Sequence, residues 1–510
     1  MGLGPYLLPL GPYPFADCEL RIADLSTPKT NSANPQFPIL KSQSAIRNPQ
    51  VAIPNPQSAI RNPQFPIRNS PQSPCRGGAA MVRHFVMVVD TNAPVASRPR
   101  GRRVAMFRAL SHRNYRLFWI GAFLSNIGTW MQAVAQGWLV LQFTNSALWL
   151  GIDGFMATVP GFFLTLAGGV FADLFDRRRL LLLTQIVAGL AALALATLVW
   201  TKVITVWMIL GFSFVTGCCM SLAGPSYQAM TFDLVGREDL ANAVALNSSQ
   251  FQLSRVVGPV FAGLGFKLFG LAGCFFANGL SFVAVIVALQ FVRLDNTRRI
   301  AAGRSARDRR ALWQDLLNGI RYVRNRPRVA SLLSMSAVNS LFGAPYLMLV
   351  PVFARDIFHL GETGLAWMMG TAGAGAFCGA LLLAYLGDFK RKGWTVLGGS
   401  FAFGVSVIAF GLATNVVFSL IFLFLVGFSI VTSVAVTNTL LQQLVTDEMR
   451  GRVMSMFILS FLGTMPIGNL LGGAVANRFG APMTLVAGGT AILLYVSIVT
   501  VRNQRLRRLR

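Results

Sequence analysis

Twelve apolar stretches dominate the chain, each close to the roughly twenty residues an α-helix needs to cross the hydrocarbon layer of a bilayer. They lie near 116–142, 148–171, 180–200, 205–230, 240–265, 269–291, 329–353, 363–386, 394–412, 417–441, 453–476 and 482–501. Backbone N–H and C=O groups in hydrocarbon must pair within their own segment, which restricts such a chain to a bundle of transmembrane helices. Composition agrees: 54% of the 510 residues are hydrophobic and 12% are charged, where soluble domains carry about a quarter charged residues. Gly, Ser, Asn and Gln interrupt the first, fifth and eleventh stretches most. Small residues let membrane helices approach closely, and polar ones turn toward a partner or a cavity.

The net charge is +27, which on a soluble protein suggests a nucleic-acid partner. Its placement argues otherwise, because Lys and Arg crowd the segments between the apolar stretches. One side receives Arg98 to Arg116, Arg177-Arg178-Arg179, the arginine-rich 292–328 segment, Lys390-Arg391-Lys392, Arg450 with Arg452, and Arg502 to Arg510. The other receives little beyond Lys202, Lys267, Arg355 and Arg478. The positive-inside rule then places both termini in the cytoplasm, in a multi-pass protein of the cytoplasmic (inner) membrane. No nucleic-acid partner is expected.

Residues 1–105 are of another kind. Ser-Ala-Ile-Arg-Asn-Pro-Gln occurs at 44–50 and again at 58–64. Proline removes backbone donors and biases its predecessor away from helix, so this low-complexity extension is expected to be disordered. It reads equally as translated non-coding sequence, with initiation at Met81, Met87 or Met106. The expected organisation beyond it is a first six-helix bundle over 106–291, a basic cytoplasmic linker over 292–328, a second six-helix bundle over 329–501, and a basic tail over 502–510. Six cysteines (Cys18, Cys75, Cys218, Cys219, Cys274, Cys378) and three distant histidines (His84, His112, His359) offer no metal-ligand spacing. No nucleotide-binding loop, paired His-Glu motif or nucleophile with a His/Asp set is present, so neither an enzyme nor a cofactor is expected.

The halves echo each other. Leu234-Val235, Glu238, Val244, Gly258 and Gly263 recur at constant offset as Leu444-Val445, Glu448, Met454, Gly468 and Gly473. Parallel repeated bundles around a midplane cavity are an architecture of secondary transporters. After the second stretch the chain reads Gly169-Val-Phe-Ala-Asp173-Leu-Phe-Asp176-Arg177-Arg178-Arg179, and after the eighth Ala384-Tyr-Leu-Gly387-Asp388-Phe-Lys390-Arg391-Lys392. The fifth carries Ser254-Arg255-Val-Val-Gly258-Pro259-Val-Phe-Ala-Gly263. These resemble the signature loops and the span-five Gly-Pro motif of the major facilitator superfamily. The opening Asn114-Tyr115-Arg116 through Trp130, and the Asp315 to Arg324 segment, are similar to its branch of enterobactin and multidrug exporters. The sequence departs from the pattern at Leu174, Ala384 and Ser254, and span four lacks the membrane arginine common in proton-coupled drug exporters.

The resemblance covers about 106–505 and implies an all-α membrane protein of twelve helices in two pseudo-repeated bundles. It implies a secondary transporter, exporting a siderophore, drug or similar amphiphile by proton-coupled alternating access, acting as a monomer in the lipid bilayer. An importer, a lipid flippase, and a non-transporting sensor or scaffold are the alternatives. It implies a conformational latch of Gly169, Asp173, Arg177, Arg178, Asp233, Asp388 and Arg391, in which Asp173 meets the start of span eleven near Arg452 and Arg177 pairs with Asp233. Ionisable groups inside spans are functional candidates. Asp153 is the candidate proton carrier, or else an interfacial acid. Arg255 either binds an anionic substrate or pairs with Asp153. Asn126, Trp130, Gln132, Gln136, Asn247, Gln250, Asn339 and Asn438 are candidate cavity residues; the competing role for the amides is to hold helices together.

Overall fold

Each apolar stretch is helical, two of them with a short break. The computed structural model describes the backbone of residues 105–174, 176–292, 318–387 and 389–507, and their side chains except at 105–106, 165–175 and 505–506. The N-terminal extension up to residue 104, linker residues 293–317 and Asp388 lie outside the described residues. A 3-10 segment, Ala105–Ser111, precedes α1 (Arg113–Thr144), α2 (Ala147–Leu174), α3 (Arg177–Trp200) and α4 (Val206–Phe291). Then follow α5 (Pro327–Gly343), α6 (Pro345–Val352), a π-helical turn Phe353–Ile357, α7 (Gly361–Leu386) and α8 (Lys392–Gly411). The described residues end with α9 (Val416–Leu444), α10 (Asp447–Leu462), α11 (Met465–Phe479), α12 (Ala481–Arg502) and the single turn Gln504–Arg507.

The 86-residue α4 is three limbs, 206–235, 237–269 and 271–291, broken at Gly236 (φ 74°) and Gly270 (φ 67°). Only glycine adopts these angles without a Cβ clash. Hydrogen bonds that bridge each break show that the limbs fold back on one another. Asn247 Nδ2 donates to Thr231 Oγ1 at 3.1 Å across Gly236, and the Cys274 thiol donates to the Ala262 carbonyl at 3.8 Å across Gly270. Single glycines thus replace the connecting loops.

Among the described residues nine helical runs have the length and mean hydropathy to cross a bilayer, with the whole of α4 counting once. The first stretch, α1, is not among them: Asn126, Gln132 and Gln136 dilute its apolar character. Leu190 (62% exposed), Leu268 (69%) and Leu494 (61%) face outward from the bundle, an arrangement suited to lipid rather than water.

Glycines set the helix crossings in both halves. A Cβ on Gly258 would lie 2.4 Å from Trp130 Cβ, and one on Gly468 would lie 2.3 Å from the Leu341 carbonyl oxygen. The second limb of α4 therefore presses on α1 as α11 presses on α5. The next glycine of each repeat faces the other half. Gly263 would meet Ala366 Cβ at 3.1 Å, and Gly473 would meet Gly151 Cα at 2.7 Å. Two seams result, one between the second limb of α4 and α7, the other between α2 and α11. Close backbone approach of this kind is how membrane helices gain packing where the hydrophobic effect offers none.

Candidate functional site

A cavity of about 300 Å³ lies where the two halves meet. From the first half it is lined by Trp130, Gln132, Gln136, Asp153, Ser213, Thr216 and Asn278, among others. From the second come Leu347, Met348, Pro351, Met369, Met465 and Asn469. Helical spacing explains the first wall, since Gln132 and Gln136 stand one turn apart on α1 and share a face.

The amides form a relay. Asn278 Nδ2 donates to Gln132 Oε1 at 2.6 Å, and Gln132 Nε2 to Gln136 Oε1 at 3.4 Å. Gln136 Nε2 donates to Asp153 Oδ1 at 3.0 Å and to Ser213 Oγ at 2.6 Å. The Ser213 hydroxyl donates in turn to Asp153 Oδ1. The relay joins α1, α2 and the first and third limbs of α4 around one carboxylate. Asp153 is the only ionisable side chain among the described lining residues.

Arg255 sits beside this cavity rather than on its wall. Its guanidinium lies 5.4 Å from the Trp130 ring centre and donates to the Tyr346 hydroxyl at 2.8 Å. The sequence alternative of an Arg255–Asp153 pair is therefore corrected: the basic group finds an aromatic face and a phenol, the acid finds an amide and a hydroxyl. Within the same motif, Gly258 packs on α1, while Pro259 and Gly263 lie along α7, near Gly370 and Ala366.

Five expected cavity residues lie off this cavity. Asn126 is partly buried elsewhere on α1. Asn247 accepts from the Tyr115 hydroxyl at 2.9 Å, and Gln250 accepts from the Tyr227 hydroxyl at 3.5 Å. Asn339 donates to Ser400 Oγ at 2.8 Å, which contacts Ser433 Oγ at 2.8 Å. Asn438 accepts from Gln442 Nε2, one turn along α9, at 2.7 Å. In Asn247, Gln250 and Asn339 the amide ties neighbouring helices or limbs together.

Of the latch residues, Arg177 Nη1 lies 3.2 Å from Asp233 Oδ2. Arg178 takes its backbone N–H to the N-cap Asp176 and donates its Nη2 to the Gln290 carbonyl at 3.1 Å. That guanidinium meets the carbonyl end of the third limb, where positive charge is favoured. Arg391 precedes α8 in a left-handed conformation (φ 73°). Gly169 and Asp173 lie on α2, but their side chains, like Asp388, fall outside the described residues.

Sequence reading alone did not single out several contacts. Arg355, within the π turn, donates from Nη1 to the Leu141 carbonyl at 2.8 Å and to Asn145 Oδ1 at 2.7 Å. Trp138 Nε1 donates to Glu362 Oε1 at 3.0 Å, and Ser146 donates to Asn477 Oδ1 at 2.8 Å. These tie the halves together at the end of the bundle remote from Arg177. At the basic end, Asp239 binds Arg108 Nε at 3.1 Å and His112 Nε2 at 2.9 Å. The only advance signal was the scarcity of such groups in and beside apolar stretches.

Comparison with known proteins agrees with this fold. The chain is 26% identical over 404 residues to the multidrug efflux pump Tap of Mycolicibacterium fortuitum, covering 77% of this chain and 96% of Tap. It is 24% identical over 408 residues to the enterobactin exporter EntS of Shigella flexneri, covering 78% and 94%. A solved structure of a POT family transporter in complex with a thioalcohol-conjugated peptide superposes with a TM-score of 0.62 at 12% identity, covering 77% of this chain and 96% of that one. The family model for transmembrane secretion effectors matches residues 104–509. The chain is a multi-pass transporter of the transmembrane secretion effector family, within the major facilitator superfamily.

Proposed function

We propose that the protein exports an amphiphilic small molecule across the cytoplasmic membrane by proton-coupled alternating access. One observation carries the reading: a cavity between two repeated halves, with a single carboxylate, Asp153, on its described wall. A carboxyl group at membrane depth that touches only neutral donors is suited to take up and release a proton. The three limbs of α4 count as three crossings and α1 as one more, giving twelve, with the basic end and both termini cytoplasmic. The seams at Gly151–Gly473 and Gly263–Ala366 are the surfaces on which the halves rock. Arg177 with Asp233, Arg178, Gly169, Asp173, Asp388 and Arg391 form the cytoplasmic latch of that motion. The protein works as a monomer, since both walls of the cavity come from one chain.

Everted vesicles test this. With the protein present, an imposed proton gradient drives accumulation of at least one compound from a panel of siderophores and cationic dyes. Asp153→Asn abolishes the gradient dependence while leaving the amount of folded protein unchanged. No accumulation of any compound by folded protein overturns the export reading.

A further inference from the structure

We infer that the ligand of this cavity is a lipophilic cation, a permanently charged or protonated amine on an aromatic or alicyclic body, with Asp153 as its counter-ion. The inference rests on the export reading and sharpens it, because siderophores and many drugs differ in the sign of their charge.

Three observations support it. No Lys, Arg or His is among the described residues lining the cavity, so an anion entering it would meet a carboxylate and no positive partner. The group best placed to receive an anion, Arg255, is already engaged by the Trp130 face and the Tyr346 hydroxyl. Asp153 itself has only neutral described partners, Gln136 and Ser213, and no ion pair. A charge taken out of water is costly unless an opposite charge meets it, and attraction between the two grows as the local dielectric falls. An incoming ammonium supplies that charge.

The opposite wall suits the rest of such a molecule. Met348, Met369 and Met465 line it without a charged group. Thioether side chains repack around irregular apolar bodies and tolerate more than one shape. The cavity thus fixes the sign of the ligand on one wall and leaves its shape loosely specified on the other.

The test uses two probes of matched shape and opposite charge, N-methyl-4-phenylpyridinium and biphenyl-4-carboxylate. Their binding to the purified full-length protein in nanodiscs is measured by titration calorimetry. The pyridinium is expected to bind at least tenfold more tightly than the carboxylate. Asp153→Asn weakens pyridinium binding at least tenfold, and Asp153→Glu restores most of it. Equal or tighter binding of the carboxylate, no binding of the pyridinium, or pyridinium binding unchanged in folded Asp153→Asn overturns the inference. Vesicle transport separates the two readings. Gradient-driven export of the anion and not the cation removes the cation inference while export stands. Export of no compound by folded protein removes export itself.

Discussion

The two halves build the same scaffold and different walls. In the first, Gly258 sets the second limb of α4 against α1; in the second, Gly468 sets α11 against α5. Gly263 and Gly473 then face across to the opposite half. Yet the first half turns Gln132, Gln136, Asp153 and Ser213 into the cavity, while the second turns in mainly Leu, Met and Pro, with Asn469 the one amide among its described lining residues. The second half has a comparable polar cluster, Asn339 with Ser400 and Ser433, but it is buried among α5, α8 and α9. Repetition therefore accounts for where the helices cross, and the rotation of each helix accounts for what it presents. One cluster faces a cavity and is the candidate site; the other is buried between helices and holds them together.

If the scaffold is equivalent, equivalent damage should follow. Gly258→Val and Gly468→Val each force a Cβ to within 2.4 Å and 2.3 Å of a neighbouring atom. For Gly468 that neighbour is a backbone oxygen, which has little room to yield. Both changes are expected to destabilise by about 3 kcal/mol or more, at the upper end of overpacking effects, and to sharply reduce the yield of folded protein in size-exclusion chromatography. Damage from one and tolerance of the other breaks the equivalence.

If the walls differ in kind, their substitutions should separate. Asp153→Asn is expected to lower transport at least tenfold with little change in melting temperature, since the new amide keeps its volume. Asn339→Ala should do the reverse. It deprives Ser400 of a buried donor, so stability falls by about 1–3 kcal/mol, while transport per folded molecule changes by less than about twofold. Melting curves and vesicle uptake on the same preparations check the pair. A transport-specific effect of Asn339→Ala would make the second cluster a site after all.

How much of this was legible in the sequence follows the same division. The helical class was plain because hydropathy alone decides it, and the repeated glycines were visible at constant offset. The hairpins at Gly236 and Gly270 were less so: a single glycine is weak punctuation, and nothing local says that a lone residue replaces a loop. Among the polar residues, Gln132 and Gln136 carry the same signal as Asn247 and Gln250. Periodicity places each pair on one helical face, but it does not say whether that face meets a cavity or another helix. Ser213 was invisible, being one hydroxyl in an apolar run. Arg255 was marked as needing a cavity or a partner, but Tyr346 lies on another helix of the other half, and no local pattern links the two.

The smallest expected effect lies on the methionine wall. Met369→Leu keeps volume and apolarity but exchanges an adaptable thioether for a branched side chain with fewer rotamers. Volume-conserving swaps of this kind cost less than about 1.5 kcal/mol, so stability should barely move. If the second wall fits the body of the ligand and the first fixes its charge, Met369→Leu should shift affinities by only a few-fold. It should do so unevenly, weakening some lipophilic cations and sparing others according to shape. The preference for cation over anion should stay as it was, because Asp153 is untouched. Binding titrations with a series of pyridinium compounds of graded bulk read this directly. A uniform loss across the series would mean that the wall contributes only apolar area, and a change in charge preference would mean that the two walls do not divide the task.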